Sequence, residues 1–227
     1  MRSDRHTEML MATVMEQRDA ILSRRSLLGR GALVGAATGA MALGLSPALR
    51  ANFSALAQDD DENGGFEDDI AVLNYALTLE HLENAFYRDN AATYDLGVDG
   101  FGNAINDYMA VIGAHELAHV ETLVSVITDL GGEPVEEATY DFGVTDAVTF
   151  LATAAALENT GVSAYDGAAA SIENVDLLNA AGSIVAVEAR HASYLNLINS
   201  DDPFPAAFET PLSRDEVLAI AGPFIVG

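Results

Sequence analysis

The run Ile184-Val-Ala-Val-Glu-Ala-Arg-His-Ala-Ser-Tyr-Leu-Asn-Leu-Ile198 decides the fold. It contains no Pro or Gly, and its pattern is apolar and helical. Within it, Glu188 and His191 stand three residues apart. That spacing puts a carboxylate and an imidazole on one face of a helix, about one turn along it. The same arrangement occurs earlier, at Glu116-Leu-Ala-His119. A lone Glu-x-x-His is usually a surface pair. Two of them, each preceded by an apolar helix carrying one inward Glu, outline a metal site.

Working outward, Asp68 or Asp69 can cap a first helix that runs to about Ala92. A second helix is expected from about Phe101 to Leu130, stopped by Gly131-Gly132 with Pro134 just beyond. Residues 131–144 lack helical periodicity. At ~3.3 Å per residue they span about 46 Å. The second helix is about 45 Å long, so an extended crossover just returns the chain to the far end. A third helix starts from Thr145 or Asp146 and continues to about Glu173, and a fourth runs from about Asp176 to Asn199. Ser213-x-x-Glu216 is a capping box for a last short helix, to about Ala221. Four long helices with short, long and short connections make an all-α four-helix bundle, two helical hairpins joined by a long crossover.

The two hairpins repeat one another. Leu79-Glu80-x6-Tyr87 matches Leu157-Glu158-x6-Tyr165, and Glu116-x-x-His119 matches Glu188-x-x-His191. Related by a pseudo-twofold axis, such hairpins bring four Glu and two His to one level of the core. Iron and manganese accept carboxylate oxygen and imidazole nitrogen. Two metals would share the site, with Glu80 and Glu158 serving mainly one each and Glu116 and Glu188 bridging. Tyr87 and Tyr165, two turns beyond their Glu, share its face and are placed to hydrogen-bond the ligands. Four buried carboxylates without a partner would be very costly, so burial and metal binding stand together.

Other residues near this set are off its register. Glu83 is the rival of Glu80 on the first helix, but it lacks a Tyr seven residues on, which favours Glu80. His81 and Glu121 are also off register, and His115 is expected to be outward or partner-facing. Arg190 is expected to pair with the acidic surface rather than tune the site.

The charge is uneven. Thirty-one of the 35 acidic residues but only three of the ten basic ones lie beyond Ala57, a net −28 there, and Lys is absent. Such self-repulsion is relieved by concentrated salt, which shortens the screening length to ~3 Å at 1 M. A high-salt setting is therefore expected, and nucleic-acid binding is not. The absence of Cys excludes disulfides and thiolate metal ligands. Residues 1–57 hold Ser23-Arg-Arg-Ser-Leu-Leu28, a weakly apolar Gly/Ala-rich run and Ala55-Leu-Ala57. They resemble a cleaved twin-arginine export signal. Export of the folded protein by that route, to the outer face of the membrane or beyond, is expected, with membrane contact only through this segment. Residues 58–67 read as an acidic linker with nothing to form a core, residues 68–200 as the bundle, and residues 201–227 as a C-terminal tail with the short helix.

The runs at 73–87, 112–123, 156–169 and 187–198 together resemble the ferritin-like superfamily, in particular its exported, desiccation-related branch. The resemblance implies a ferritin-like four-helix bundle. It also implies a dinuclear carboxylate site with Glu80, Glu116, His119, Glu158, Glu188 and His191 as ligands. Two Fe or two Mn ions per chain, with Fe favoured, and dioxygen or peroxide as the reacting partner are implied with it. So is a possible homo-oligomer. A di-metal oxidoreductase of peroxidase, catalase or ferroxidase type is one reading; metal storage or a structural stress protein is the other.

Overall fold

In the computed structural model, residues 65–226 are described. The expected signal segment 1–57 and most of the expected linker lie outside them. The described chain forms five α-helices: α1 Asp69–Asn90, α2 Ile105–Asp129, α3 Ala147–Ala168, α4 Val175–Ile198 and α5 Arg214–Ala221. Short 3-10 turns follow α3 and α5. α1 packs along α2 and α3 along α4, while α1 and α3 join the two hairpins.

Except at α2, the helix starts are fixed by side-chain caps. Asp68 accepts a hydrogen bond from the Ala71 amide at 2.8 Å. Asp146 and Thr149 form a reciprocal capping box at the start of α3, and Ser213 and Glu216 form another at α5. α2 begins at Ile105, later than its sequence suggests. Asp99 Oδ1 accepts from the amides of Phe101 and Asn103 and holds that stretch as a turn. α2 ends where Gly131 takes a φ of 82°, and the Gly131 and Gly132 amides donate back to the Thr128 and Ile127 carbonyls. This reversal needs a left-handed residue, which Gly supplies without strain.

The crossover runs along α1 as an extended strap. Asn74, His81 and Arg88, spaced by seven residues, form its anchor line. Asn74 Nδ2 donates to the Glu133 carbonyl and Asn74 Oδ1 accepts from the Val135 amide. His81 Nε2 lies 3.1 Å from the Val135 carbonyl, and Arg88 pairs with Glu137 at 2.9 Å. The strap therefore travels from the start of α1 toward its end, where Tyr94 donates to the Val144 carbonyl and α3 begins. At the other end, Asp69 accepts from the Glu173 and Asn174 amides in the α3–α4 turn. α3 thus runs antiparallel to α1.

The core has two apolar clusters. On α2, Ile105, Met109 and Ile112 belong to one, and Val120, Leu123 and Ile127 to the other. On α4, Leu195 and Ile184 divide in the same way. Glu116, and the Glu188–His191 turn, lie between these positions. By length and composition α2 could cross a bilayer, but its Glu116 and His119 are buried within the bundle. Phe66 corrects the reading of 58–67 as a segment with nothing for a core. It is buried, its ring 5.3 Å from that of Tyr75, and the Arg214 guanidinium lies over the Phe66 ring, 4.5 Å from its centroid.

Phe86 is fully buried and stacks on Phe150, ring centroids 5.0 Å apart. Phe86→Ala is expected to cost about 3–5 kcal/mol in denaturant unfolding. Leu117→Ala, on the exposed side of α2, should stay within about 0.5 kcal/mol.

Candidate metal centre

Each of the four long helices contributes one fully buried Glu: Glu80, Glu116, Glu158 and Glu188. α2 and α4 add His119 and His191 one turn after their Glu. The structure brings all six sequence-predicted residues together, as two overlapping groups. Glu80, Glu116, His119 and Glu188 form one; Glu116, Glu158, Glu188 and His191 form the other. Within each group the possible ligand atoms lie within 4.8 Å of one another. Glu116 and Glu188 belong to both.

The imidazoles show where the groups converge. His119 Nδ1 lies 3.2 Å from Glu80 Oε2, 3.2 Å from Glu116 Oε2 and 3.1 Å from Glu188 Oε1. His191 Nδ1 lies 3.1 Å from Glu158 Oε2 and 3.2 Å from Glu116 Oε1. One ring nitrogen carries at most one proton, so it cannot hydrogen-bond to every facing oxygen. Glu116 Oε1 and both oxygens of Glu188 are accordingly buried without a hydrogen bond, despite their short contacts. Unpartnered carboxylate oxygens and ring nitrogens aimed at common points suit hard or borderline cations. The residues present therefore fit a pair of metal ions.

The electrostatics follow from this crowding. Burial pushes the Glu80 carboxyl up to about 8, against the opposing pull of His119. Burial also raises Glu158 and Glu188, with neighbouring carboxylates adding to it. Glu116 moves the other way, to about 2. Burial would raise it, but it faces both imidazoles, whereas Glu80 faces one. His119 and His191 would be lowered by burial alone; the surrounding carboxylates raise them to about 12 and about 10. Without metal, protons hold the site together.

Two tyrosines brace the ligands across the pseudo-twofold axis. Tyr87 donates to Glu158 Oε1 at 2.7 Å, and Tyr165 donates to Glu80 Oε1 at 2.5 Å. Each therefore serves the other hairpin's Glu. Tyr165 also lines an apolar cavity with Leu73, Ala76, Leu123 and Ile184.

Three residues differ from their sequence reading. Glu83 belongs to neither ligand group, yet it is buried beside the site rather than merely off register. His115 is exposed as expected, but it also stacks on His191, and its Nδ1 lies 2.9 Å from His191 Nε2. With Nδ1 of His191 facing the carboxylates, Nε2–H donates to His115 and fixes the ring. Arg190 is exposed and forms no ion pair among the described residues, so the expected surface pairing is absent. His81 faces the crossover strap, away from the ligand groups. The tyrosine exchange depends on how the hairpins cross, and His115 on how α2 approaches α4. Neither has a signal along one helix.

Residues 68–200 match the family model of the ferritin-like domain. The chain belongs to the ferritin-like domain family. A conserved hypothetical protein from Mycobacterium tuberculosis, known from its crystal structure, is similar at a TM-score of 0.50 and 21% identity. The likeness covers 61% of this chain and 94% of that one, and at this identity it shows a shared fold alone. No curated protein matches the chain.

The pKa shifts fix the sign of the pH response. Glu80 rises from 4.5 to about 8, His191 from 6.5 to about 10 and His119 from 6.5 to about 12. All three bind protons more tightly when folded. Their contribution is full below the unfolded values and is lost as pH rises through the folded ones. Glu116 acts oppositely, but only between about 2 and 4.5. The Tm of metal-free protein should therefore fall from about pH 5 to about pH 9. Metal needs deprotonated ligands, so the Tm of metal-loaded protein should not fall over that range. Thermal melts of both forms across pH check this; parallel slopes would contradict it.

Proposed function

We propose that this chain is an exported ferritin-like protein with a dinuclear carboxylate site, taking two Fe or two Mn ions, with Fe favoured. Its reacting partner in this reading is dioxygen or peroxide. The observation that supports it most is the sharing of Glu116 and Glu188 between two ligand groups, each completed by its own Glu and His. One group alone would describe a mononuclear site. Two groups with two shared carboxylates describe a pair of neighbouring ions.

When bound, such ions supply Lewis-acid and one-electron redox chemistry. The chain's own residues supply the rest. Glu80 with His119 and Glu158 with His191 hold opposite ends of the site. Tyr87 and Tyr165 fix one oxygen of Glu158 and of Glu80 by hydrogen bonds, leaving the other oxygen directed inward. His115 orients His191. The apolar clusters on either side exclude water, which strengthens every electrostatic contact inside. The apolar cavity that Tyr165 helps to line suits a small uncharged molecule.

The same reading covers the unusual surface. A net −28 beyond Ala57 fits a protein that works in concentrated salt. The paired Arg24-Arg25 and the Ala55-Leu-Ala57 pattern favour twin-arginine export, which carries folded proteins and so allows metal to be loaded first. The runs that resemble the exported, desiccation-related branch favour placing the chain there in this reading, and a homo-oligomer is compatible with it.

Elemental analysis of protein purified in high salt is the test. Wild-type protein should carry two Fe or Mn per chain. His119→Ala and His191→Ala should each lower the content below two, and His81→Ala should not. Metal-free protein of full stability would sink the metal reading, and His81→Ala behaving like the other two would sink the ligand register. Peroxide-dependent oxygen release by loaded protein separates turnover from storage or a structural role.

A further inference from the structure

The internal repeat is broken at one position facing the site. Three residues after Glu80 comes Glu83; three residues after Glu158, its counterpart in α3, comes Gly161. The two positions oppose each other across the core. A Cβ at residue 161 would fall 2.9 Å from Glu83 Oε1 and 3.6 Å from its Cδ. It would also lie 3.5 Å from Glu188 Oε2. The Glu83 carboxyl thus occupies the space that any side chain at 161 would need. Glu188 Oε2, one of the two Glu188 oxygens buried without a hydrogen bond, borders the same space.

Glu83 is only 3% exposed. The charged groups that act on it most strongly are all carboxyls: Glu188 and Glu158 first, then Glu80 and Glu116. Packing does not account for it, because an apolar side chain would fill the same volume without the cost of burying a charge among like charges. A cation between these groups reverses that cost.

We propose that Glu83 is a fifth carboxylate of the metal centre, admitted by Gly161 and weighted toward the Glu158/His191 half. It makes the two metal positions unequal where the repeat would make them alike. Its charge selects for cation charge. Four carboxylates balance two divalent ions, and a fifth favours a pair that includes a trivalent one. The attraction scales with cation charge, so losing Glu83 weakens a trivalent ion more than a divalent one. The proposal rests on the reading of the site as a metal centre, and the test keeps the two apart.

The experiment compares binding of terbium(III), by luminescence, and manganese(II), by equilibrium dialysis, to the full chain. Glu83→Gln keeps the shape and removes the charge. It should lower terbium affinity about tenfold and manganese affinity by less, about fivefold, because the lost attraction scales with cation charge as three to two. Gly161→Ala should weaken terbium binding in the same direction, because its methyl group displaces the Glu83 carboxyl. It also serves as the deciding variant if Glu83→Gln fails to give a cooperative thermal melt. His119→Ala should weaken both metals and reports on the centre itself. Folded Glu83→Gln with both affinities within about twofold of wild type overturns the role of Glu83 while leaving the centre standing, as does equal loss of both metals. Wild-type protein that binds neither ion overturns the centre and this inference together.

Discussion

Four carboxylates buried at one level of a helical bundle must be neutralised, and the rest of this structure depends on how that is done. Taking an ionised carboxylate out of water costs several kcal/mol unless a partner replaces the lost solvation. Here no Lys exists, and the three Arg beyond Ala57 are elsewhere: Arg88 on the crossover strap, Arg214 over Phe66, Arg190 exposed on α4. The internal partners are two imidazoles and two phenols. These distribute two ring nitrogens and two hydroxyl donors over eight carboxylate oxygens, and three oxygens remain without a hydrogen bond. The shortfall has a geometry: the unpaired oxygens lie on Glu116 and Glu188, the two residues common to both ligand groups. Buried Glu and His groups converging in this way could hold metal ions, which would supply what the side chains do not.

The helices are arranged to keep that deficit dry. α2 and α4 carry the shared Glu with apolar clusters above and below, so the polar level is sealed at both ends. The strap along α1 is held by Asn74, His81 and Arg88 at seven-residue spacing, the repeat that keeps one line on a helix for two turns. The same face logic separates His81, pinned to the strap, from its neighbour Glu80, which faces inward. A one-residue shift of α1 would exchange them and bring both the strap and the site to ruin. Capping by Asp68 and Asp146 fixes where α1 and α3 begin and so guards that register.

Much of this was legible in the sequence because it obeys local periodicity. The pairs Glu116/His119 and Glu188/His191 show themselves by the i,i+3 rule, and the repeat identifies Glu80 and Glu158 without any tertiary information. The bundle topology follows from Gly131-Gly132 and the length of the aperiodic stretch after it. What escaped is what depends on the neighbouring helix. Tyr87 and Tyr165 lie on the expected faces, but the partner of each is on the opposite hairpin, a matter of crossing geometry rather than of spacing. His115 points away from its own ligand group and reaches His191 only because α2 lies beside α4. Phe66 sits in an acidic stretch whose composition speaks for solvent, yet one aromatic ring finds Tyr75. Composition averages over a segment; packing acts on single side chains.

Glu83 shows the same limit more sharply. By the phenol criterion it loses to Glu80, since no Tyr follows it by seven residues, and within α1 that ranking is sound. Its place becomes visible only when α1 is laid against α3 and the missing side chain at Gly161 is seen as room. A duplicated site starts with two equal halves, and equality is a constraint on chemistry, since both halves then present the same field. Exchanging one side chain for space on α3 and a charge for that space on α1 breaks the equality at a single level. The fold itself is unchanged. The repeat therefore accounts for the six buried Glu and His residues at one level, and Glu83 facing Gly161, with His115 against His191 alone, is where the two halves depart from one another.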